Sequence, residues 1–223
     1  MTRLLTKTIL GLTLVSLSAC QPWRVQPEVQ PPSDIPAAPS QPTDALVIPG
    51  ERVGPITAQT SRADLAARYG EAALRDGPIA LGEGTTEPGT VVNEGSDQQL
   101  AVVWQDAAQI HPRLIKDFGP AWQTPEGLGV GVPYAALQAA LGDFELYGFA
   151  WDYGGTLVLE DTQLDHYDGA LLLRLAPSER ALTQHPEAYQ AVMGDGLFAS
   201  KNPNLAVLDL SINEMVVFMD AAP

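Results

Sequence analysis

The stretch VGPITAQTSRADLAARYGEAAL, residues 53–74, predicts one short helix. Ser61 is a candidate N-cap, and the acidic residue three positions later can complete a capping box with it. Leu65 and Tyr69 are four residues apart, so both side chains lie on one face of the helix. Gly70 stands where a helix ends with a positive φ. We therefore expect an amphipathic helix that ends at this glycine.

A similar stretch, PEGLGVGVPYAALQAALGDFEL at residues 125–146, follows further along the chain. Pro133 suits the first turn of a helix, where its missing backbone N–H removes no hydrogen bond. Leu137 and Leu141 repeat the apolar pair at a spacing of four residues. Gly142 repeats the glycine that ends the first helix. The two stretches predict a repeated unit that begins with a helix.

Strand-forming segments follow each of these helices. In WDYGGTLVL (151–159), Gly154 and Gly155 supply the positive φ values that a two-residue type I′ turn demands, which predicts a tight hairpin. The predicted strands are QLAVVWQ (99–105), FELYGFAW (144–151), TLVLE (156–160) and ALLLRLA (170–176).

The C-terminal part contains signals for a further helix and for strands. A helix is expected over about 186–193, stopped by the glycine that follows. The segment NLAVLDLSINEMVVFM (204–219) is expected to form one or two strands, with Leu208, Leu210 and Ile212 facing inward.

Together these elements predict an α+β fold. The expected arrangement is two helix-plus-antiparallel-meander units, a tandem repeat over about 53–106 and 125–178, and then a C-terminal element of helix and strands at 179–223. The alternative is one α+β domain over residues 47–223 without internal symmetry.

The glycine-bounded helices resemble the small repeats of the β-lactamase-inhibitor-protein-like fold. GVPYAALQAALG, and more faintly GPITAQTSRADLAARYG, is similar to the opening G-M-T…V…L-G of the SmpA/OmlA (BamE) type of outer-membrane assembly lipoproteins. The resemblance implies repeated units of that fold. It carries over no membrane or partner residues, because the sequence has no matching motif for them.

The first twenty residues have the layout of a bacterial lipoprotein signal. Arg3 and Lys7 form a positive n-region, and an apolar h-region at 9–17 is too short to span a bilayer, which needs about 20 apolar residues. The following LSAC resembles the lipobox of lipoprotein precursors. This resemblance implies removal of residues 1–19 and then a diacylglyceryl group on the thiol and an acyl chain on the amine of Cys20. The alternative is a cysteine in an ordinary signal or core helix.

Residues 20–46 are predicted to be the lipidated cysteine and a proline-rich tether. Positions 21–46 hold seven prolines, and such chains favour the extended polyproline II form. A ligand for a proline-recognition domain is the alternative, although the match to its motif is poor. In Gram-negative lipoproteins an Asp after the cysteine tends to retain the protein at the inner membrane. Gln21 therefore favours the outer membrane, with the domain facing the periplasm if the source is Gram-negative.

Composition and charge exclude several classes of function. The chain has a net charge of −15, and removal of the two cations in residues 1–19 would make it −17. Such a surface repels phosphate backbones, so nucleic acid is not an expected partner. The single cysteine excludes an intramolecular disulfide and a thiolate metal cluster.

The sequence contains no catalytic or zinc-binding motif, and no cofactor is expected apart from the acyl chains. The acidic stretch LEDTQLDHYDG (159–169) is a weak calcium candidate, with a solvated turn as the alternative. A hydrolase acting on the cell wall would need a carboxylate pair, for example Asp152 with one of these acids, set roughly 5–10 Å apart across a cleft. The calcium candidates are Glu160, Asp161, Asp165 and Asp168.

Aromatic residues provide the other candidate site. Trp104 and Trp151 are expected in the core, whereas Trp122 in GPAWQTPEG and Tyr153 beside the Gly-Gly pair are expected to be exposed binding residues. The sequence therefore predicts a membrane-anchored envelope lipoprotein whose domain is not catalytic and binds another envelope protein or component. The alternatives are a carbohydrate-binding or peptidoglycan-binding module and a cell-wall hydrolase.

Overall fold

A computed structural model describes residues 43–219, so the predicted signal peptide, Cys20 and most of the tether lie outside the described residues. Within that range the chain forms five α-helices and twelve strands, which confirms the α+β class. No helix within residues 43–219 is long and apolar enough to cross a membrane. The helices are α1 (Arg62–Tyr69), α2 (Tyr134–Leu141), α3 (Glu179–Gln184), α4 (Pro186–Gln190) and α5 (Pro203–Ala206).

The strands form three antiparallel sheets, ordered β1-β2-β3, β10-β12-β7-β6-β5-β4 and β11-β8-β9. We call the second the main sheet and the third the small sheet. Strands β1 to β6 are Val47–Ile48, Arg52–Val53, Ile56–Thr57, Leu74–Gly82, Thr85–Val92 and Leu100–Trp104. Strands β7 to β12 are Pro112–Lys116, Glu145–Tyr147, Leu157–Val158, Leu171–Ala176, Leu197–Ala199 and Ser211–Phe218.

Both predicted helices form where the sequence places them. Ser61 and Asp64 make the reciprocal bonds of a capping box at α1, and Pro133 is the N-cap of α2, one position before the helical turn that it was expected to open. Gly70 and Gly142 end the helices with φ values of 83° and 79°. The apolar pair on each helix is buried. Local spacing was therefore enough to predict both elements.

The central strands of the main sheet are buried on both faces. Along β6, Leu100, Val102 and Trp104 join the large core with the helices, whereas Ala101 and Val103 join a smaller cluster on the opposite face. The outer part of the β4–β5 hairpin folds over this second face and contributes Ile79 to the smaller cluster. Lys116 and Arg113 of β7 contact this hairpin at Ala80 and Glu87, so the hairpin covers part of the second face.

The structure does not confirm the tandem repeat. After α1 the chain runs through β4, β5, β6 and β7 as one meander of the main sheet. After α2 the strands divide, because β8 and β9 belong to the small sheet and β10 joins the main sheet beside β12. The same helical signal therefore precedes two different strand arrangements.

The predicted type I′ hairpin at Gly154 and Gly155 is wrong. Strand β8 ends at Tyr147 and β9 begins at Leu157, so the connection is a longer loop. Only Gly155 of the pair has a positive φ, and it approaches β10 so closely that an added Cβ would lie 2.1 Å from the carbonyl oxygen of Leu175. The second glycine is therefore needed for contact with a neighbouring strand.

The C-terminal predictions hold in part. Leu208, Leu210 and Ile212 are buried and one strand forms in 204–219, both as expected, but this strand, β12, begins only at Ser211. The expected helix at 186–193 is the shorter α4, preceded by the separate helix α3.

A chain of hydrogen bonds ties α1 to three strands. The indole Nε1 of Trp104 donates to the Thr90 hydroxyl at 3.0 Å, and this hydroxyl donates to Oδ1 of Asp76 at 2.6 Å. Arg62 donates to Asp76 at 3.1 Å and to Glu71 at 2.6 and 2.7 Å. Thr90 and Trp104 are buried, so these bonds satisfy polar groups that water does not reach.

The same contacts set the charge state of Asp76. Burial alone would raise the pKa of this carboxyl group, but the hydrogen bonds from Thr90 and Arg62 and the charge of Arg62 lower it below its ordinary value. A pKa that is lower in the folded than in the unfolded chain stabilises the fold above the unfolded pKa. That contribution is lost as the pH falls through the folded pKa.

We predict that Thr90→Val lowers the free energy of unfolding by about 1–3 kcal/mol, because the buried indole N–H of Trp104 loses its acceptor. Thr90→Ser is the matched control, since it keeps the hydroxyl group and removes only one methyl. Urea denaturation of both variants measures the difference. A Val variant as stable as the Ser variant would contradict the proposed role of the hydroxyl.

Candidate functional site

The loop between β8 and β9 is held at both ends and projects between them. At its start, the N–H of Phe149 donates to the carbonyl oxygen of Val192, and Gly194 donates back to Phe149, both at 2.9 Å. At its end, the N–H of Leu175 donates to the carbonyl oxygen of Gly155 at 2.9 Å. The side chain of Phe149 is buried. The residues between these anchors therefore project from a fixed base.

Apolar side chains are exposed on and beside this projecting loop. Within residues 43–219, four of the six large hydrophobic side chains that are exposed belong to this region: Trp151, Tyr153, Met193 and Leu197. Trp151 and Tyr153 are 64% and 61% exposed. The ring of Tyr153 lies 5.7 Å from that of the half-buried Tyr147. We call these five residues the aromatic end.

A groove with several carboxylates lies beside the small sheet. It has a volume of about 380 Å³, and its lining includes Asp143, Glu145, Glu160, Asp161 and Lys201. Lys201 pairs with Asp143 at 2.6 Å. Among residues 43–219, no lysine or arginine pairs with the other three carboxylates. We call these four acidic residues the acidic end, and it carries uncompensated negative charge.

The solvent-facing side of the small sheet connects the two ends. The strand register places Leu197 directly opposite Tyr147, and it places Ala199, Glu145 and Val158 in one row. The residue between them on β8, Leu146, is fully buried, as alternation along a strand requires. The aromatic end, the acidic end and this sheet face together are the small-sheet surface.

The structure confirms the expected exposure of one of the two predicted binding residues and contradicts that of the other. Tyr153 is exposed as expected, but Trp122 is 1% exposed, so the expectation that it forms a binding site is wrong. Its ring packs edge-on against Phe118, at 6.0 Å between centroids, and against Gly54. Turn-forming neighbours suggested an exposed loop, but that loop pairs with the chain near Val47 and closes the core.

The expectation for Trp151 is wrong in the opposite direction. The ring was assigned to the core on the assumption that a strand continues through residue 151, but β8 ends at Tyr147. Trp151 lies instead beside Gly194, with its Nε1 3.7 Å from the place where a Cβ on that glycine would stand. The polar Asp152 and the two glycines after Tyr153 are the sequence signal for a loop tip that could have revealed this. Trp104 is buried, as predicted.

The predicted calcium ligands do not converge. Glu160, Asp161, Asp165 and Asp168 are all exposed. No group of three or more acidic, histidine or cysteine side chains within residues 43–219 could hold a metal ion. Asp165 and Asp168 flank the buried Tyr167 in a short 3₁₀ turn, while Glu160 and Asp161 line the groove. The spacing that failed to match a calcium loop in the sequence also fails to assemble one in space.

The carboxylates named for a hydrolase are divided between the two ends of the surface. Asp152 lies between Trp151 and Tyr153 on the projecting loop, and it is not among the residues that line the acidic groove. Glu160 lines that groove. The structure therefore does not bring this pair together in one groove of the described residues.

Comparison with known proteins adds little to this geometry. No family model and no curated protein matches the chain. One solved structure that matches is the crystal structure of the uncharacterized protein yfeY from Escherichia coli, with 14% sequence identity and a TM-score of 0.44. The match covers 79% of this chain and 99% of that chain. This likeness carries no argument about function.

We predict that Trp151→Ala and Tyr153→Ala each change the free energy of unfolding by no more than about 0.5 kcal/mol, because both rings are already exposed. Trp122→Ala should cost about 3–5 kcal/mol, because it opens a cavity in the core. Thermal unfolding of the three purified variants provides the measurement. A large loss of stability at residue 151 or 153 would mean that these rings serve the fold and not a binding site.

Proposed function

We propose that the chain is a membrane-anchored bacterial envelope lipoprotein whose α+β domain binds another envelope protein through the small-sheet surface, without catalysis. The observation that carries this proposal is the grouping of four exposed apolar residues on the projecting loop and on the segments that pair with Phe149 and Tyr147 beside it: Trp151, Tyr153, Met193 and Leu197. Contiguous exposed apolar groups mark interaction sites in soluble domains, and Trp and Tyr dominate the energetics of such sites.

The hydrogen bonds that hold both ends of the projecting loop favour a binding role for its exposed rings over a structural one. The projecting loop is bonded to the turn at Val192 and to β10, so Trp151 and Tyr153 are presented without a long flexible segment. A surface that is ordered before binding loses less conformational entropy when a partner docks. The acidic end adds charge that can select among partners and speed their encounter.

The proposed anchor rests on the sequence of residues 1–20. Acyl chains on Cys20 would contribute about 0.8 kcal/mol for each buried methylene group, and two or more chains give stable anchoring. Because Gln123 and Gly54 donate hydrogen bonds to the carbonyl oxygens of Ala45 and Leu46, the proposed tether ends before these residues. The remaining residues 21–43 would reach roughly 70 Å at full extension as polyproline II. We propose the outer membrane, facing the periplasm, as the location in a Gram-negative source. A tether of this reach allows the domain to meet partners well beyond the lipid surface.

The second candidate is a carbohydrate-binding or peptidoglycan-binding module. Two exposed rings on one loop favour it, because Trp151 and Tyr153 are 64% and 61% exposed and can stack on sugar rings. This candidate predicts glycan affinity without a protein partner. The hydrolase alternative predicts turnover that depends on Asp152 or Glu160, and the separation of these residues onto different features gives it less support.

Photo-crosslinking in living cells tests the proposed function. We predict that p-benzoylphenylalanine in place of Tyr153 gives one discrete protein adduct in the membrane fraction. The same group in place of Ile110, a 48% exposed apolar residue in the loop before β7, should give none. The Cys20→Ser protein should lose both the adduct and retention in carbonate-washed membranes.

Each outcome distinguishes the candidates. Equal adducts at 153 and 110 would contradict a specific docking surface. Retention on purified peptidoglycan that is lost in Trp151→Ala, with no protein adduct, would favour the glycan-binding module. A Cys20→Ser protein that stays in washed membranes would overturn the lipid anchor.

A further inference from the structure

Among the strands of residues 43–219, none covers one edge of β11. The small sheet is ordered β11-β8-β9, so β11 pairs with β8 on one side only. Its three residues, Leu197–Ala199, include two that are exposed. Within residues 43–219, no strand pairs with its other side. A strand edge of this kind can accept an added strand from another chain.

The hydrogen-bond pattern shows which groups point to this edge. Tyr147 donates its N–H to Thr156 and accepts from Gly155, so both of its backbone groups point to β9. Leu197, directly opposite, is therefore in a pair that is not hydrogen-bonded, and its N–H and C=O point away from β8. By the same alternation the N–H of Ala199 also points outward. Three backbone groups are thus available at the edge: the N–H and C=O of Leu197 and the N–H of Ala199. The carbonyl of Ala199 is not available, because it accepts a hydrogen bond from the N–H of Asn202.

The side chains along this edge change from apolar to acidic. Leu197, with Tyr147 beside it, lies at the aromatic end. Two residues further, Ala199 lies beside Glu145, and both line the acidic groove together with Glu160 and Asp161. Side chains on one face of an added strand alternate with the same period of two. An added strand would therefore place one side chain against apolar groups and the next one on that face against carboxylates.

We propose that the small-sheet surface binds an extended, basic segment of a protein partner as an added strand alongside β11. This inference rests on the proposed function and specifies the partner's chemistry: an apolar residue faces the aromatic end and, two positions away, a Lys or Arg faces Glu145. Charge complementarity selects a basic segment, because the acidic end has one cation for four carboxylates. The backbone bonds give affinity, and the two side-chain positions give specificity.

The test uses the full-length lipidated protein in detergent and an acetylated hexapeptide, Thr-Leu-Thr-Arg-Thr-Lys, together with its reversed sequence. The matched probe is the same peptide with N-methyl groups on alternate residues, which keeps charge and side chains but cannot complete a strand pairing. We expect N-methylation on the bonding edge to weaken binding about tenfold, the effect of one or two lost hydrogen bonds. Deuterium exchange at Leu197 and Ala199 should slow when the unmodified peptide is added.

Variants of the protein provide the complementary comparison. Ala199→Pro removes the outward N–H and should weaken peptide binding about tenfold, whereas Ala199→Val keeps that donor and should bind within about twofold of the natural protein. Glu145→Lys should weaken binding of the basic peptide and strengthen binding of a version with Glu in place of Arg and Lys. Thermal unfolding confirms that each variant is folded.

The inference is overturned if N-methylated and unmodified peptides bind equally, or if folded Ala199→Pro binds as well as Ala199→Val. It is also overturned if Glu145→Lys leaves the charge preference unchanged. These results can be distinguished from results that contradict the proposed docking function itself. A specific adduct from position 153 that persists unchanged in Ala199→Pro would leave the docking function in place and remove only the added strand.

Discussion

The pairing of β12 between β7 and β10 is the constraint on which the rest of the structure depends. This strand is the last one within residues 43–219, yet it joins the meander that follows α1 to β10 in the second half of the chain. The start of this strand positions α2, since Gly131 donates to the carbonyl oxygen of Ile212, and Tyr134 donates to that of Leu210, the residue before β12. A sheet completed by β12 unites the two described halves in one core, so the halves cannot be independent units.

The position of the small-sheet surface follows from this arrangement. Strand β10 is held by β12, and Gly155 bonds to β10, so the projecting loop is attached to the main sheet through a short path. Phe149 anchors the other end of the loop by stacking on Tyr189, at 5.8 Å between ring centroids. The exposed rings therefore stand on the core, and their exposure reflects where the loop is fixed.

Local features of this fold could be predicted from the sequence, and long-range pairings could not. The capping box at Ser61 and the helix-ending glycines depend on neighbours within a few residues, so spacing was sufficient. Which sheet receives β10 depends on β12, some forty residues later, and no local pattern encodes that choice. Trp122 is buried although exposure was expected, and Trp151 is exposed although burial was expected. The reason is the same, because distant chain segments decide which side chains are buried. At the candidate site, exposure of Tyr153 was predicted, whereas the apolar contribution of Met193 and Leu197 was not.

The most direct test of the account is protection of the aromatic end inside the intact envelope. Asp152→Cys places a thiol between the two exposed rings, and Glu51→Cys is a matched exposed control in another part of the domain. The natural Cys20, the only cysteine of the chain, would be a thioether after lipidation and would not react with maleimide. The account predicts that the thiol at 152 reacts more slowly in the native envelope than in purified protein, while the thiol at 51 reacts equally in both. Equal reactivity of the thiol at 152 in the two settings would contradict a surface occupied by a partner.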